Sequence, residues 1–402
     1  MEKFTSKTAE VMFLIVLSAF MAVNSLATDV YLPALPVMAG ELGAGSEFTI
    51  TGYLLGFMIA QLVWGPISDK IGRIKPLIAG SVIFVLGTVG CAMSTSMPEL
   101  VCWRVFQATG ACVGPMLSRA MIRDVCTAKE AADKLSLVTM IMAVAPIAGP
   151  LLGGIIVVTF SWQMIFYAVA CIGAAIGLMI HVLPETLPEN RRQSTSMRHV
   201  FNIYGILIKD FTFMKYTLCI AMFYMAAYAV IAGTPFMYIT YYGISEVYYG
   251  LLFGLNVIGV MVVSFFNRHL LRLYTLDVLL KYSTGIASLA VVLLVFFVKT
   301  TLLGVYGVVG AIILMFSMNG IIAACSTAAA LDHVGDKAGT AAALIGSLQY
   351  GSGIVSTFFL GLINNHTPWP MLTVIVAGIF CCTILAWMPQ GRQPSTVRVL
   401  KT

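Results

Sequence analysis

The sequence reads Gly65-Pro66-Ile67-Ser68-Asp69-Lys70-Ile71-Gly72-Arg73-Ile74-Lys75-Pro76 between two long apolar segments. Asp69 is predicted to lie at the C-terminal end of a helix, where the helix dipole is unfavourable for a carboxylate. We therefore expect it to bind Arg73 or the N-terminus of another helix. Gly65 and Gly72 permit a close approach of backbones and a sharp turn. The pattern favours an ordered, charge-paired loop over a merely solvated basic one.

The composition around this loop excludes an ordinary soluble protein. Of the 402 residues, 59% are hydrophobic and only 10% are charged, against about 25% charged in a typical soluble domain. A single soluble core cannot cover that much apolar side chain, whereas a lipid bilayer can. The net charge of +6 is not gathered on a long polar segment, so no nucleic-acid partner is expected. The nine cysteines show no metal-like spacing, and neither a metal site nor a disulfide framework is predicted.

Apolar stretches long enough to cross a membrane recur along the chain. A spanning helix needs about 20 mainly apolar residues, and the sequence contains twelve such stretches. The predicted spans are 11–33, 48–67, 76–95, 99–122, 135–158, 163–183, 212–236, 247–267, 278–298, 302–326, 338–363 and 370–389. We predict an all-α membrane protein with an N-terminal six-helix half (1–184), a cytoplasmic linker (185–211) and a C-terminal six-helix half (212–402).

The positions of Lys and Arg predict the orientation of these spans. Of 23 such residues, Arg104 and Arg119 fall within span 4 and only Lys299 falls on the predicted outer side. Cytoplasmic loops carry an excess of Lys and Arg. Both termini are therefore expected in the cytoplasm.

Span 5 carries Ala145-Pro146-Ile147-Ala148-Gly149-Pro150-Leu151-Leu152-Gly153-Gly154. Its prolines Pro146 and Pro150 remove backbone donors and bend a helix. Its glycines Gly149, Gly153 and Gly154 allow another helix to pack closely. An ordinary kink with small-residue packing is the simplest explanation, and packing is expected in any case.

Three of these segments resemble signatures of one transporter family. The loop 65–76 resembles the signature loop of the major facilitator superfamily, and 145–154 is similar to the antiporter motif of its drug exporters. Residues 28–36 (Thr-Asp-Val-Tyr-Leu-Pro-Ala-Leu-Pro) resemble the signature of its Bcr/CflA drug-resistance branch. Arg104 to Gly110, Arg123-Asp124 and Pro184-Glu185-Thr186 are similar to further segments of that branch.

The resemblance implies a major facilitator fold and a proton-coupled antiporter that works by alternating access in the bacterial inner membrane. It implies export of small, largely apolar drugs such as phenicols or bicyclomycin-like compounds. The expected partners are a small-molecule substrate, protons and the lipid bilayer. No cofactor is expected beyond the proton gradient, and we expect a monomer.

Asp29 and Arg104 are the predicted proton-coupling residues. A carboxylate inside a span is costly and is by default a functional candidate; contact of Asp29 with water at the outer interface is the alternative. Asp29 lies roughly 10 Å and Arg104 roughly 9 Å below the predicted outer surface, from the rise per residue of a helix. We predict that they pair, directly or through Gln107 and water.

The predicted substrate pocket combines aromatic and polar residues. Its candidates are Tyr31, Gln107, Tyr224, Tyr228, Asn256, Asn319 and Gln349. Tyr224 and Tyr228 share one helical face, but lipid contact or core packing is an equal alternative. Hydrogen bonding between helices is the alternative for Asn256, Asn319 and Gln349. For Arg119, extension of the side chain to the cytoplasmic surface is favoured over a pocket role.

Other function classes fit less well. A dedicated exporter or importer of one metabolite, such as a nucleoside, amino acid or siderophore, is the main alternative. An enzyme is disfavoured because the sequence has no intramembrane carboxylate pair, nucleophile elbow or phosphate loop. A channel is disfavoured because no charged ring or re-entrant filter sequence is present.

Overall fold

The computed structural model describes residues 7–192, 197–332, 334, 338–363 and 367–389. Within these residues the secondary structure is helical throughout. The α-helices are α1 (Lys7–Asp29), α2 (Leu35–Leu42), α3 (Phe48–Ile71), α4 (Ile74–Met93), α5 (Met97–Ala111), α6 (Val113–Val125), α7 (Ala128–Met142), α8 (Ala145–Thr159), α9 (Trp162–Leu178), α10 (Met197–Lys209), α11 (Phe211–Pro235), α12 (Glu246–Leu270), α13 (Leu276–Thr300), α14 (Gly304–Ser317), α15 (Asn319–Leu331), α16 (Ala338–Ile363) and α17 (Trp369–Trp387).

Eleven helical segments of the described chain are long and apolar enough to cross a membrane. The predicted span 4 is the twelfth. It consists of α5 and α6, which follow each other through Cys112, and its charges lower its hydropathy. The sequence prediction of a helical protein with twelve membrane-spanning segments is thus confirmed.

Several predicted boundaries are wrong because prolines start helices as well as ending them. Span 1 was expected to end at residue 33, but a 3₁₀ turn (Leu32–Ala34) leads directly into α2, which ends at Leu42. Prolines occupy the second position of both elements, within the first turn, where the N–H has no intrahelical partner to lose. Span 7 was expected to end at 236, but a π-helical turn (Phe236–Tyr241) extends α11.

Helices of the first six spans pack against helices of the last six along α3 and α16. The hydroxyls of Thr51 and Thr357 are 2.7 Å apart. Further along the same two helices, the ring centroids of Phe57 and Tyr350 are 4.5 Å apart. This contact begins near the N-terminus of α3, at the end of the bundle that the sequence predicts to face outward.

A second contact between the two sets of spans joins α8 and α12. A Cβ built on Gly154 would lie 2.5 Å from the Glu246 carbonyl oxygen, and one on Gly250 would lie 2.6 Å from the Leu151 Cα. At these distances no side chain fits at either glycine. The helix backbones therefore touch, as small residues at membrane interfaces allow.

Glycines nearer the other end of α3 and α16 have no close neighbours. A Cβ built on Gly65 of α3 or on Gly339 of α16 would meet no atom within 4 Å. The close approach expected at Gly65 is therefore absent from this structure. The bundle is closed near Thr51, and the described contacts between α3 and α16 extend as far as Gln61 and Gly346.

The contact between Thr51 and Thr357 provides a test of this conformation. We expect Thr51→Cys combined with Thr357→Cys to form a disulfide on mild oxidation, because the two hydroxyls lie in contact. That bond would hold the predicted outer side closed and stop transport, and a reductant would restore it. Mass shift on non-reducing gels and transport in proteoliposomes measure the two effects.

Each single cysteine variant is the control, in a background where serine replaces the exposed native cysteines Cys102, Cys171 and Cys381. Efficient crosslinking without any loss of transport would show that this contact does not have to open.

Candidate functional site

Arg104 is enclosed by aromatic rings inside the first six spans. It lies on α5 and is only 1% exposed. Its guanidinium carbon lies 4.3 Å from the ring centroid of Tyr31 and 4.3 Å from that of Tyr53. Desolvated cation–π contacts of this kind stabilise a charge by about 2 kcal/mol. The rings therefore compensate part of the cost of burying this cation.

Hydrogen bonds fix the orientation of the same guanidinium. Its Nη1 donates to the Ala27 carbonyl at 3.1 Å and to Gln107 Oε1 at 2.6 Å. The Gln107 amide in turn donates to Thr88 Oγ1 at 2.7 Å. The Arg104 Nε is buried and has no hydrogen-bond partner. Arg104 thus connects α5 with α1 and α4 and retains one free donor.

Asp29 lies at the C-terminal end of α1 and is 8% exposed. Its Oδ1 accepts a hydrogen bond from Thr28 at 3.0 Å. Its Cβ would be 3.7 Å from a Cβ built on Gly149 of α8. The carboxylate is therefore buried beside the glycine run of span 5 and is not at an open interface.

Asp29 and Arg104 interact electrostatically but form no ion pair within 4 Å in the described part of the chain. The direct pairing expected from their matching depth is absent, because Arg104 donates to Ala27 and Gln107 instead. Depth along a helix does not determine which face a side chain occupies. The sequence also allowed an indirect pairing of Arg104 with Asp29 through Gln107 and water. The hydrogen bond from Arg104 to Gln107 is one part of that pairing.

The glycines of α8 serve two different neighbours. A side chain at Gly153 would overlap the Val30 carbonyl, which directly follows Asp29. Gly154 instead meets the backbone of α12 at Glu246. Pro146 lies in the first turn of α8 and Pro150 lies inside it. One short helix therefore holds the end of α1 on one face and a helix of the last six spans on another.

A second group of candidate residues lies on the last six spans. Tyr224 and Tyr228 of α11 have ring centroids 6.2 Å apart. The Tyr224 hydroxyl interacts with the side chains of Asn319 and Gln349, and Asp29 acts electrostatically on Tyr228. These four predicted pocket residues come together in the interior, where they face the first six spans.

The other pocket candidates are placed differently. Tyr31 and Gln107 are fully buried around Arg104, so they position the arginine and have no surface on the cavity. Asn256 is 3% exposed and donates to the Leu252 carbonyl of its own helix at 3.2 Å. Its carbonyl oxygen has no partner. Within the described residues, Asn256 forms no hydrogen bond with the tyrosines of α11.

Arg73 is the centre of a charged cluster at the opposite end of the bundle. Its guanidinium binds Asp69 at 2.7 Å and Asp124 at 2.9 Å. Burial by itself lowers the pKa of this guanidinium, but hydrogen bonds and charges from Asp124 and Asp69 outweigh burial and raise it. Arg123, next to Asp124, is exposed. The cluster ties the loop 65–76 to the end of α6.

Glu185 completes this cluster and was not among the predicted site residues. Its carboxylate accepts hydrogen bonds from the backbone N–H groups of Arg73, at 2.9 Å, and Ile74, at 3.2 Å. It thereby caps the N-terminus of α4, where the helix dipole favours an anion. Gly72 has a φ of +95°, and a Cβ there would lie 2.5 Å from Glu185 Oε2. Glycine is therefore required at this turn for both conformation and space.

Sequence reasoning also missed the partners of Tyr53. The Tyr53 hydroxyl donates to Asn24 Oδ1 at 2.8 Å, and its ring covers Arg104. The available signal was Asn24, a polar side chain within an apolar span. No spacing along the sequence links it to Tyr53 on the next span.

The family is identified by comparison with known proteins. The sequence profile described as "Major Facilitator Superfamily" matches residues 15–357. The chain belongs to the major facilitator superfamily, and it is a multi-pass membrane transporter and not an enzyme.

Relatives confirm the predicted branch. The chain is 34% identical to an uncharacterized MFS-type transporter of Bacillus subtilis, over 85% of this chain and 86% of the relative. It is 24% identical to a bicyclomycin resistance protein homolog of Haemophilus influenzae (90% and 91% covered). It is 27% identical to a chloramphenicol resistance protein of Pseudomonas aeruginosa (91% and 89% covered).

A solved structure confirms the fold. A xylose transporter from E. coli superposes with a TM-score of 0.75 at 12% identity, with 96% of this chain and 100% of that chain covered. At this identity the likeness concerns the fold alone.

Replacing Arg104 tests the aromatic enclosure. We expect Arg104→Lys to reduce transport at least tenfold and to destabilise the protein by roughly 2 kcal/mol, because lysine has no planar face for two rings. Transport in proteoliposomes and thermal unfolding in detergent provide the measurements. Arg123→Lys is the matched control at an exposed site. A fully active, equally stable Arg104→Lys variant would contradict the assigned role.

Enlarging Gly153 tests the contact between α8 and α1. Gly153→Leu should block transport and cost about 1–3 kcal/mol through overpacking against Val30. Gly205→Leu is the control, because a Cβ at Gly205 meets no atom within 4 Å. Transport and unfolding temperature are measured for both variants. Unchanged activity of Gly153→Leu would mean that α1 and α8 do not stay in contact during the cycle.

Proposed function

We propose that this transporter is a proton-coupled antiporter that exports small, largely apolar molecules across the bacterial inner membrane by alternating access. Phenicols and bicyclomycin-like compounds are the proposed substrates, in line with the relatives named for resistance to chloramphenicol and bicyclomycin. The two proposed moving units are residues 1–184 and 212–402, joined by the linker 185–211 with both termini in the cytoplasm.

The observation that carries this proposal is that Asp29, at the end of α1, packs against α8. The carboxylate is buried beside Gly149, and the neighbouring Gly154 packs on Glu246 of the last six spans. A change in the charge of Asp29 therefore acts on a helix that also forms the closed contact between the two sets of spans. A proton can shift a conformational equilibrium only if it binds the two states differently, and this arrangement supplies such a difference.

The proposed cycle follows from the burial of the carboxylate. A charged Asp29 inside the membrane is costly unless it contacts polar groups or water. Protonation removes this cost and favours the packed, closed contact of α1, α8 and α12. Release of the proton toward the cytoplasm would favour separation of α12 from α1 and α8. Substrate and proton then exchange across the membrane in opposite directions.

The Arg73 cluster is proposed to stabilise the first six spans as one moving unit. Asp69, Asp124 and Glu185 bind the side chain or backbone of Arg73 from three segments. The cluster lies at the end of the bundle opposite the contact between Thr51 and Thr357. It is therefore placed to control how that end closes.

Asp29→Asn tests the coupling directly. Asparagine keeps the shape of the side chain but cannot titrate, so chloramphenicol transport driven by an imposed pH gradient should fall at least tenfold. Binding of chloramphenicol to the purified variant should change by less than about threefold. Proteoliposome flux and equilibrium binding measure the two quantities.

Glu99→Gln is the matched control, because Glu99 is an exposed carboxylate at the start of α5. Undiminished pH-driven transport by Asp29→Asn would refute the proposed coupling. Competition assays with unrelated drugs test the substrate range. Transport of a single metabolite class would favour the dedicated transporter instead.

A further inference from the structure

Two thiols of the last six spans lie in contact, and the proposed cycle does not use them. Cys219 belongs to α11 and Cys382 belongs to α17. Their sulfur atoms are 3.6 Å apart, and the residues are 0% and 1% exposed. All nine cysteines lie within the described residues and none is in a disulfide. The pair is 163 residues apart in the chain, so the spacing of the cysteines along the sequence does not indicate it.

The backbones of α11 and α17 are close enough beside these thiols for a disulfide. A Cβ built on Gly378, one turn before Cys382, would lie 2.8 Å from the Met222 carbonyl oxygen of α11. The Cys219 Sγ also lies 3.6 Å from the Cys382 carbonyl oxygen. A disulfide needs Cα atoms about 4.4–6.8 Å apart, a spacing that helices in backbone contact provide. Rotation of the two side chains then brings the sulfur atoms to bonding distance without moving either helix.

Polar contacts on both sides of the pair fix the alignment of α17. Lys215 Nζ of α11 donates to the Met388 carbonyl at 2.8 Å. The hydroxyl of Thr383, the residue after Cys382, is 2.8 Å from the hydroxyl of Ser288 on α13. These contacts oppose rotation of α17 about its axis. The two thiols are therefore held facing each other.

We propose that Cys219 and Cys382 are an oxidation site at which hydrogen peroxide forms a disulfide that joins α11 to α17 inside the membrane. One thiol, as its thiolate, attacks a peroxide oxygen, the O–O bond breaks, and a sulfenic acid forms with release of water. The second thiol attacks the sulfenic sulfur, the S–O bond breaks, and another water leaves. Two thiols and one peroxide thus give one disulfide and two waters. The sulfur atoms are oxidised and the peroxide oxygens are reduced.

The surroundings of the pair select the reagents that reach it. Cys382 lies five residues before the end of α17 at Trp387, roughly 8 Å by the helical rise. Hydrogen peroxide is uncharged and similar in size to water, so local opening of the helix end admits it. Glutathione is charged and much larger, and reduction requires a thiolate to reach a disulfide sulfur. The disulfide should therefore form slowly with peroxide and persist in the presence of glutathione.

The bond would strengthen the last six spans without restricting their movement against the first six. Both helices belong to the last six spans, so the bond does not cross the contact between the two sets. It closes a long loop of the chain, and a disulfide stabilises mainly by restricting the unfolded state. The inference does not depend on the proposed export function.

Peroxide treatment of the purified protein in lipid nanodiscs tests the site. After remaining thiols are blocked, mass spectrometry of proteolytic fragments should identify a peptide pair linked through Cys219 and Cys382. The unfolding temperature should rise by about 5 °C. Dithiothreitol, a small uncharged dithiol, should reverse both effects, and glutathione should not. Cys382→Ser should abolish both effects, whereas Cys381→Ser, at the exposed neighbouring cysteine, should retain them.

The unmodified protein decides the result even where a variant folds poorly. Persistence of both thiols after peroxide treatment, or their separate oxidation to sulfinic acids, overturns the inference. A crosslink through Cys381, or an unchanged unfolding temperature of the crosslinked protein, also overturns it. If the protein transports none of the proposed drugs, the export function fails, and the mass and unfolding measurements still decide the oxidation site.

Discussion

Burial of a single cation, Arg104, organises the first six spans. No water is available in the hydrocarbon to solvate a guanidinium, so its donors and its charge must be satisfied by protein. The rings of Tyr31 and Tyr53 and the Ala27 carbonyl provide this from three other segments, and Gln107 provides it from α5 itself. Because each partner belongs to a different element, satisfying the charge also fixes how those elements pack. Asp29 then lies just beyond Ala27, at a position set by the same contacts.

The proposed movement would occur where the chain lacks such bonds. The contact of α8 with α12 is made by glycines against backbone, without ion pairs among the described residues, and can separate at small cost. The Arg73 cluster is instead a dense set of charged hydrogen bonds. Charged hydrogen bonds therefore lie within the first six spans, whereas the described contacts between the two sets of spans are made by hydroxyls, aromatic rings and glycines against backbone. This distribution is what a transporter with two rigid units requires.

The sequence predicted the helices well and the pairings poorly. Hydropathy located eleven of the spans directly, because bilayer thickness and backbone hydrogen bonding leave few alternatives. It also singled out Asp29 and Arg104, because charge inside an apolar span is rare. Their direct pairing was predicted from depth alone, and the structure has Arg104 bound to Ala27 and Gln107 instead. Glu185 was noted only as part of a family segment, since nothing local indicates that it caps α4.

The sequence by itself determined the class of protein, the number of spans and the residues whose chemistry is unusual for a membrane interior. These properties depend on composition and local order, which the chain carries directly. Only the tertiary structure decided that Gly149 and Gly153 meet the end of α1 whereas Gly154 meets α12. It alone decided that the Tyr53 hydroxyl of α3 donates to Asn24 of α1. The physical reason is that these contacts depend on the rotation of each helix about its axis, and that rotation is set by packing against distant segments.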